Sequence, residues 1–147
     1  MTRFFGNYRM TVDVKGRLVI PSRFRGAFEG QAVVSPYENR CLAIWTLDLY
    51  ELQLSMQEAN FHRTAVLDQG FRTQNAFTTE IDIDKQGRFL LSQGLREKFS
   101  IRDEVVILGN RDHLEIWSVD RFAEVEANLD IFNGPFVETF GALAGKE

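Results

Sequence analysis

Two short stretches carry most of the chemistry this sequence offers: Asp13-Val14-Lys15-Gly16-Arg17 and, 71 positions later, Asp84-Lys85-Gln86-Gly87-Arg88. An aspartate just before a turn accepts N–H groups from the residues that follow it. Gly16 and Gly87 take backbone angles that other residues avoid. Arginine carries five donors on a planar fork, which match a carboxylate or the O6 and N7 of guanine. Two readings follow. In the structural one, Asp13 and Asp84 stabilise their turns, and the arginines pair with them across the turn. In the binding one, a protruding two-stranded ribbon enters a DNA major groove with Arg17 at its turn, and Lys15 contacts phosphate. The structural role suits both aspartates. For Arg88, pairing with Asp84 and contact with DNA stand level.

Charge distribution separates the two copies. The first 25 residues hold Arg3, Arg9, Lys15, Arg17, Arg23 and Arg25 against Asp13 alone, in a chain of net charge −4. The remainder is therefore strongly acidic. A basic face on an acidic body still binds anions, because the local field matters more than the total. The alternative is a solvated cluster of charges with no partner.

Other chemistries find little support. His62, His113 and Cys41 are too few and too scattered for a metal site, and no cofactor is expected. Neither a phosphate-cradling loop with Gly-Lys-Ser/Thr nor a Gly-x-Ser-x-Gly nucleophile motif occurs. An enzyme is thus the least favoured class. A single cysteine excludes a disulfide framework and points to a reducing cytoplasm. No apolar run approaches the roughly 18 residues of a membrane span, and the N-terminus lacks a signal-peptide core.

The elements that must position these residues are also written twice. Arg25 matches Arg96 and Phe28 matches Phe99 at the same spacing of 71, and Ile44-Trp45 matches Ile116-Trp117 one residue later. Each copy reads as a strand ending at Val12–Val14, a turn, and a second strand from Arg17. Pro21 stops that strand, and Ser22 caps a short helix over Arg23 to Phe28. A hairpin follows, "QAVVSP" and "RCLAIW" around "YEN". Helical spacing of Val119, Phe122, Val125 and Leu129 predicts a helix after Trp117, and by analogy after Trp45. Residues 60–76 read as a helical linker, and Gly134 to Glu147 as a loosely ordered tail. Trp45 and Trp117 are expected in the core. A unit of about 45 residues buries little surface alone. The expected fold is therefore β-rich α+β, with two units at 7–54 and 78–121 interleaving their strands into one closed barrel about a pseudo-twofold axis.

The run "GNYRMTVDVKGRLVIPSRFR" resembles the N-terminal signature of the MraZ family, and the likeness extends through "VVILGNRDHLEIWS". That resemblance implies two SpoVT-AbrB swapped-hairpin domains. It implies a transcriptional regulator that binds repeated elements in the promoter of its own operon, typically the division and cell wall cluster. It also implies a ring-shaped homo-oligomer, located in the cytoplasm and associated with the nucleoid. Arg17 is then the expected DNA contact, with Lys15 as the neighbouring basic position. Arg9, Arg3 and Arg88 complete the expected DNA-binding set, while Asp13, Gly16, Asp84 and Gly87 form the turns. Two departures stand out: Ser92 replaces Pro21 in the second copy, and the N-terminus is longer than usual before its first glycine. The alternative is a non-enzymatic protein-interaction module of the same fold, antitoxin-like. A second complete domain and a short tail count against it.

Overall fold

The computed structural model describes residues 3–60 and 62–127; the tail from Gly134 to Glu147 lies outside the described residues. The fold is mixed α+β, built on a mostly antiparallel sheet with several helices. In the first copy, β1 spans Asn7–Thr11, β2 Arg17–Val19, β3 Gln31–Tyr37 and β4 Cys41–Trp45. Two helices follow, α1 (Leu47–Asn60) and α2 (Ala65–Ala76). The second copy contributes β5 (Thr79–Asp82), β6 (Arg88–Leu90), α3 (Gln93–Lys98), β7 (Glu104–Gly109), β8 (Leu114–Ser118) and α4 (Val119–Ala127). A helix thus follows each tryptophan, and the linker is helical from Ala65.

Six strands form one sheet in the order β1-β7-β8-β4-β3-β5, and β2 and β6 form a separate ribbon. Replacing every strand by its counterpart in the other copy returns the same order reversed. The outer strands are exchanged. β1 runs along β7, from Asn7 opposite Leu108 to Thr11 opposite Glu104. β5 runs along β3, from Gln31 opposite Asp82 to Val34 opposite Thr79. Without the other copy, each hairpin would expose an unpaired strand edge.

Alternation along the strands sends one set of side chains to each face of the sheet. Val34, Leu42, Ile44, Val105, Ile107, Leu114 and Ile116 join the main core, where Leu18 and Ile20 from the first copy meet Phe89 and Leu91 from the second. Trp45 and Trp117 are buried at matching positions, but in two smaller clusters. Trp45 packs with Val33, Leu49 and Tyr50, and Trp117 with Val106 and Phe122. The helices after the tryptophans cover these clusters.

Two local expectations are corrected, and a third feature lies outside them. The first strand ends at Thr11 rather than Val14, because the chain bends where Asp13 accepts donors from residues ahead of it. Ser22 does not cap a helix: Pro21 occupies the cap position and Ser22 lies inside a 3-10 helix, Ser22–Ala27. Proline offers no side-chain acceptor for the free N–H groups. In the second copy Ser92 takes that place, its hydroxyl accepts from Leu95 N at 3.3 Å, and an α-helix forms. Third, the interior holds a polar cluster. His113 is buried, with Nδ1 2.7 Å from Asp112 Oδ1 and Nε2 2.8 Å from Glu115 Oε2. Glu115 also accepts from Asn110 Nδ2 and Trp117 Nε1, each at 2.9 Å.

A ring with both nitrogens on carboxylates suits the imidazolium, since neutral histidine would set a lone pair against one of them. Trp45 stacks on it at 4.5 Å and Tyr37 lies at 4.6 Å, so two aromatic rings flank the cation. Burial works against the charged ring, but the hydrogen bonds and charges of Glu115 and Asp112 outweigh it and hold His113 above its ordinary value. Burial likewise opposes the Glu115 carboxylate. The bonds from His113, Asn110 and Trp117 outweigh it and hold Glu115 below its ordinary value. Burial pushes the Cys41 thiol far up, which makes it unreactive.

Phe4 is fully buried, with Phe24 edge-on at 5.4 Å and Phe28 stacked at 5.6 Å. Phe4→Ala is expected to lower the unfolding free energy by about 3–5 kcal/mol, read from urea denaturation. The His113 pair gives a pH profile of defined sign. The Glu115 contribution is complete above its ordinary value of 4.5 and is lost as pH falls through its lower folded value. The His113 contribution is complete below its ordinary value of 6.5 and is lost as pH rises through its higher folded value. The urea midpoint should therefore peak between these values, and the alkaline decline should flatten in His113→Gln.

Candidate nucleic-acid interface

Both turns share one geometry. Asp13 Oδ1 accepts the Lys15 and Arg17 amides at 2.9 Å each, and Oδ2 accepts Arg17 Nε at 2.7 Å. Asp84 Oδ1 accepts the Gln86 amide at 2.9 Å and the Arg88 amide at 2.8 Å, and Oδ2 accepts Arg88 Nε at 2.8 Å. The Arg17 amide first, then the Arg17 side chain and the Lys15 amide, hold the Asp13 carboxyl below its ordinary range against some desolvation. Asp84 is lowered in the same way by Arg88 and Gln86. The turn closes through Gly16 N to Asp13 O at 2.9 Å, with Gly16 at φ +83°. Gly87 repeats the arrangement at φ +82°. Both aspartates therefore take the structural role, and both arginines pair with them across the turn. Each carboxylate orders the turn and also clamps its arginine by Nε, leaving the two terminal nitrogens of the fork for another acceptor.

The ribbon brings the two heads together. Arg17 lies opposite Leu90, Leu18 opposite Phe89, and Val19 opposite Arg88. Leu18 and Phe89 turn into the core, so Arg17, Val19, Arg88 and Leu90 share the outward face. Leu90 is 60% exposed, and Val14 at the turn tip is fully exposed beside exposed Lys15. The second turn presents exposed Lys85 and Gln86 there instead. In the sequence Arg88 lies in the acidic part of the chain. The antiparallel pairing of β2 with β6 sets it on the same face as Arg17, diagonally across the ribbon. Only the duplication hinted at that pairing.

Arg9 and Arg3 are placed differently. Arg9 projects from β1 and reaches Glu104 at 3.1 Å and Glu126 at 4.0 Å. Arg3 is exposed and precedes Phe4, which bridges to Arg111 in the β7–β8 turn. It therefore sits at the end of β1 remote from Gly16. Arg23 donates to the Tyr8 hydroxyl at 2.9 Å.

A cleft of about 400 Å³ lies between α1, α2 and the Trp45 side of the sheet. Its lining includes Trp45, Tyr50, Glu58, His62 and Asp68, and Asp68 pairs with Arg63 at 3.0 Å. Among the described residues, no group of three His, Cys, Asp or Glu side chains is placed to hold a metal ion. Among them too, no helix is long and apolar enough to cross a membrane.

The family described as "MraZ protein", with the qualifier "antitoxin-like", matches residues 4–70 and 76–135. The chain is 33% identical over 142 residues to a protein of Thermomicrobium roseum named transcriptional regulator MraZ, covering 91% of this chain and 94% of that one. A protein of the same name from Roseiflexus castenholzii is 34% identical, covering 95% and 98%. A third, from Moorella thermoacetica, is 35% identical, covering 82% and 85%. With the doubled turn in place and nearly the whole sequence matched, the chain belongs to the MraZ family.

Proposed function

We propose that this chain is a sequence-specific regulator of transcription that binds double-stranded DNA; its relatives are named transcriptional regulators. The observation that carries the reading is the outward ribbon face, where two arginines, each clamped through Nε by its own aspartate, stand diagonally across the β2–β6 pair. Such a clamp restricts the side chain before DNA arrives, so less freedom is lost on binding. A two-stranded ribbon fits the major groove, and the terminal nitrogens of Arg17 and Arg88 suit guanine O6 and N7. Lys15 at the turn tip suits phosphate. We assign Arg9 and Arg3 to phosphate as well, with Arg9 exchanging Glu104 for the DNA backbone.

The finer reading is two SpoVT-AbrB units, 7–54 and 78–121, forming one swapped-hairpin barrel about a pseudo-twofold axis. The exchanged pairing of β1 and β5 supports it. We further propose a homo-oligomeric ring that binds repeated promoter elements of its own operon, in the cytoplasm and at the nucleoid. Each head contacts few base pairs, and linking several raises the effective concentration. Exposed Leu52 and Met56 on α1, a helix with no fully buried side chain, suit self-association. The "antitoxin-like" qualifier favours a second reading, a protein-interaction module of the same fold.

The test is a salt-titrated gel shift with the DNA upstream of the protein's own gene. Losing one bidentate guanine contact costs about 1–3 kcal/mol, repeated at every engaged subunit. Arg17→Ala is expected to abolish specific binding with the fold intact by circular dichroism. Arg88→Ala should cause a comparable loss, because the ribbon sets it on the same face. Lys15→Ala should weaken binding to all sequences and flatten the salt dependence. Specific binding that survives both arginine substitutions would overturn the assignment and favour the protein-interaction module.

A further inference from the structure

Neither turn rests on its own copy. The Gly16 carbonyl accepts the Leu91 amide at 3.1 Å, and the Gly87 carbonyl accepts the Ile20 amide at 2.8 Å. Leu91 and Ile20 each hold a second partner. Arg96 Nε donates to Leu91 O at 3.0 Å, and Arg25 Nε donates to Ile20 O at 2.8 Å. These bonds carry each guanidinium over the other copy's glycine. A methyl group on Gly16 would lie 2.7 Å from Arg96 Nη2 and 2.9 Å from its Cζ. A methyl on Gly87 would collide with Arg25 Nε. Two closed circuits result: Gly16, Leu91 and Arg96, and Gly87, Ile20 and Arg25. Both glycines are buried, although the residues just before them are exposed. Arg25 and Arg96 are half-buried, and neither takes part in an ion pair among the described residues.

We infer that Arg96 and Arg25 are positioning residues acting crosswise, each fixing the other copy's DNA-reading turn. The inference rests on the reading of these turns as the DNA contacts. Arg17 follows Gly16 directly, so the set of the Gly16 peptide decides where the Arg17–Asp13 clamp points. A planar fork bonded through Nε presents its face to a peptide, and this makes the arginines specific. Lysine carries the charge but has neither the plane nor a donor at that place. Preorganised contacts are lost when such support is removed, even where the contacting side chain remains. The chain would thus read DNA as one coupled pair of heads rather than as two independent ones.

Hydrogen exchange on the full-length protein without DNA tests the crosswise claim, because the turn amides are bonded to Asp13 and Asp84. Arg96→Ala is expected to speed exchange in peptides covering 12–19 by about tenfold while leaving 83–90 unchanged. Arg25→Ala should do the reverse. In gel shifts both should lower the ratio of specific to non-specific affinity by about tenfold, and Arg96→Lys should not restore it. Faster exchange throughout the chain, or no change in either turn, would overturn the inference. So would restored specificity in Arg96→Lys, which would mean that charge alone suffices. Arg17→Ala is the control. If it keeps wild-type specific binding, the DNA reading of the turn fails, and the exchange pattern still decides the brace.

Discussion

Backbone hydrogen bonds between β4 and β8 at the centre, and between β1 and β7 and between β5 and β3 at the outer strands, hold the two copies in one sheet. Their strength lies less in any single bond than in what its absence would expose. A hairpin such as β3–β4 carries an edge of unpaired N–H and C=O groups, and the first strand of the other copy covers it. The same exchange draws the two turns to the middle of the molecule, where β2 and β6 pair and bury Leu18 against Phe89. Core, ribbon and the outward face that carries Arg17 and Arg88 therefore form together. A change that loosens the exchange would disturb all three.

Duplication within one chain lets this paired arrangement diverge. The clamps of Arg17 and Arg88 are nearly superimposable in their bonds, yet their turn tips differ, Val14-Lys15 against Lys85-Gln86. Pro21 and Ser92 start different helices from equivalent places. Cys41 and His113 differ more sharply. The thiol is buried and inert, while the histidine anchors a charged cluster shared with Glu115 and covered by aromatic rings. Two identical chains pairing about a true twofold axis could not carry these asymmetries.

Much of this was legible. Two short apolar runs around Tyr37-Glu38-Asn39 located the β3–β4 hairpin, helical spacing located α4, and the doubled Ile-Trp marked two buried tryptophans. The cap at Ser22 misled because proline before it offers the right backbone angle without a side-chain acceptor. The His113 cluster was invisible because Asp112, Glu115 and Asn110 are ordinary surface types, and only burial makes their bonds to His113 consequential. Arg25 and Arg96 showed as matched positions, but no local pattern pointed either at a glycine in the other half.

The sequence by itself determined the repeat, the turn chemistry and the family, because these depend on residue types a few positions apart. Asp, Gly and Arg at this spacing specify the same turn wherever it is placed. Which copy each turn leans on, and which arginines share a face, were decided only by tertiary structure. Strand exchange joins residues about half the chain apart, and the direction of a side chain follows from strand register rather than from local spacing. Arg88 lies in an acidic stretch of sequence and on a basic ribbon in space, because β2 and β6 pair antiparallel across the middle of the fold.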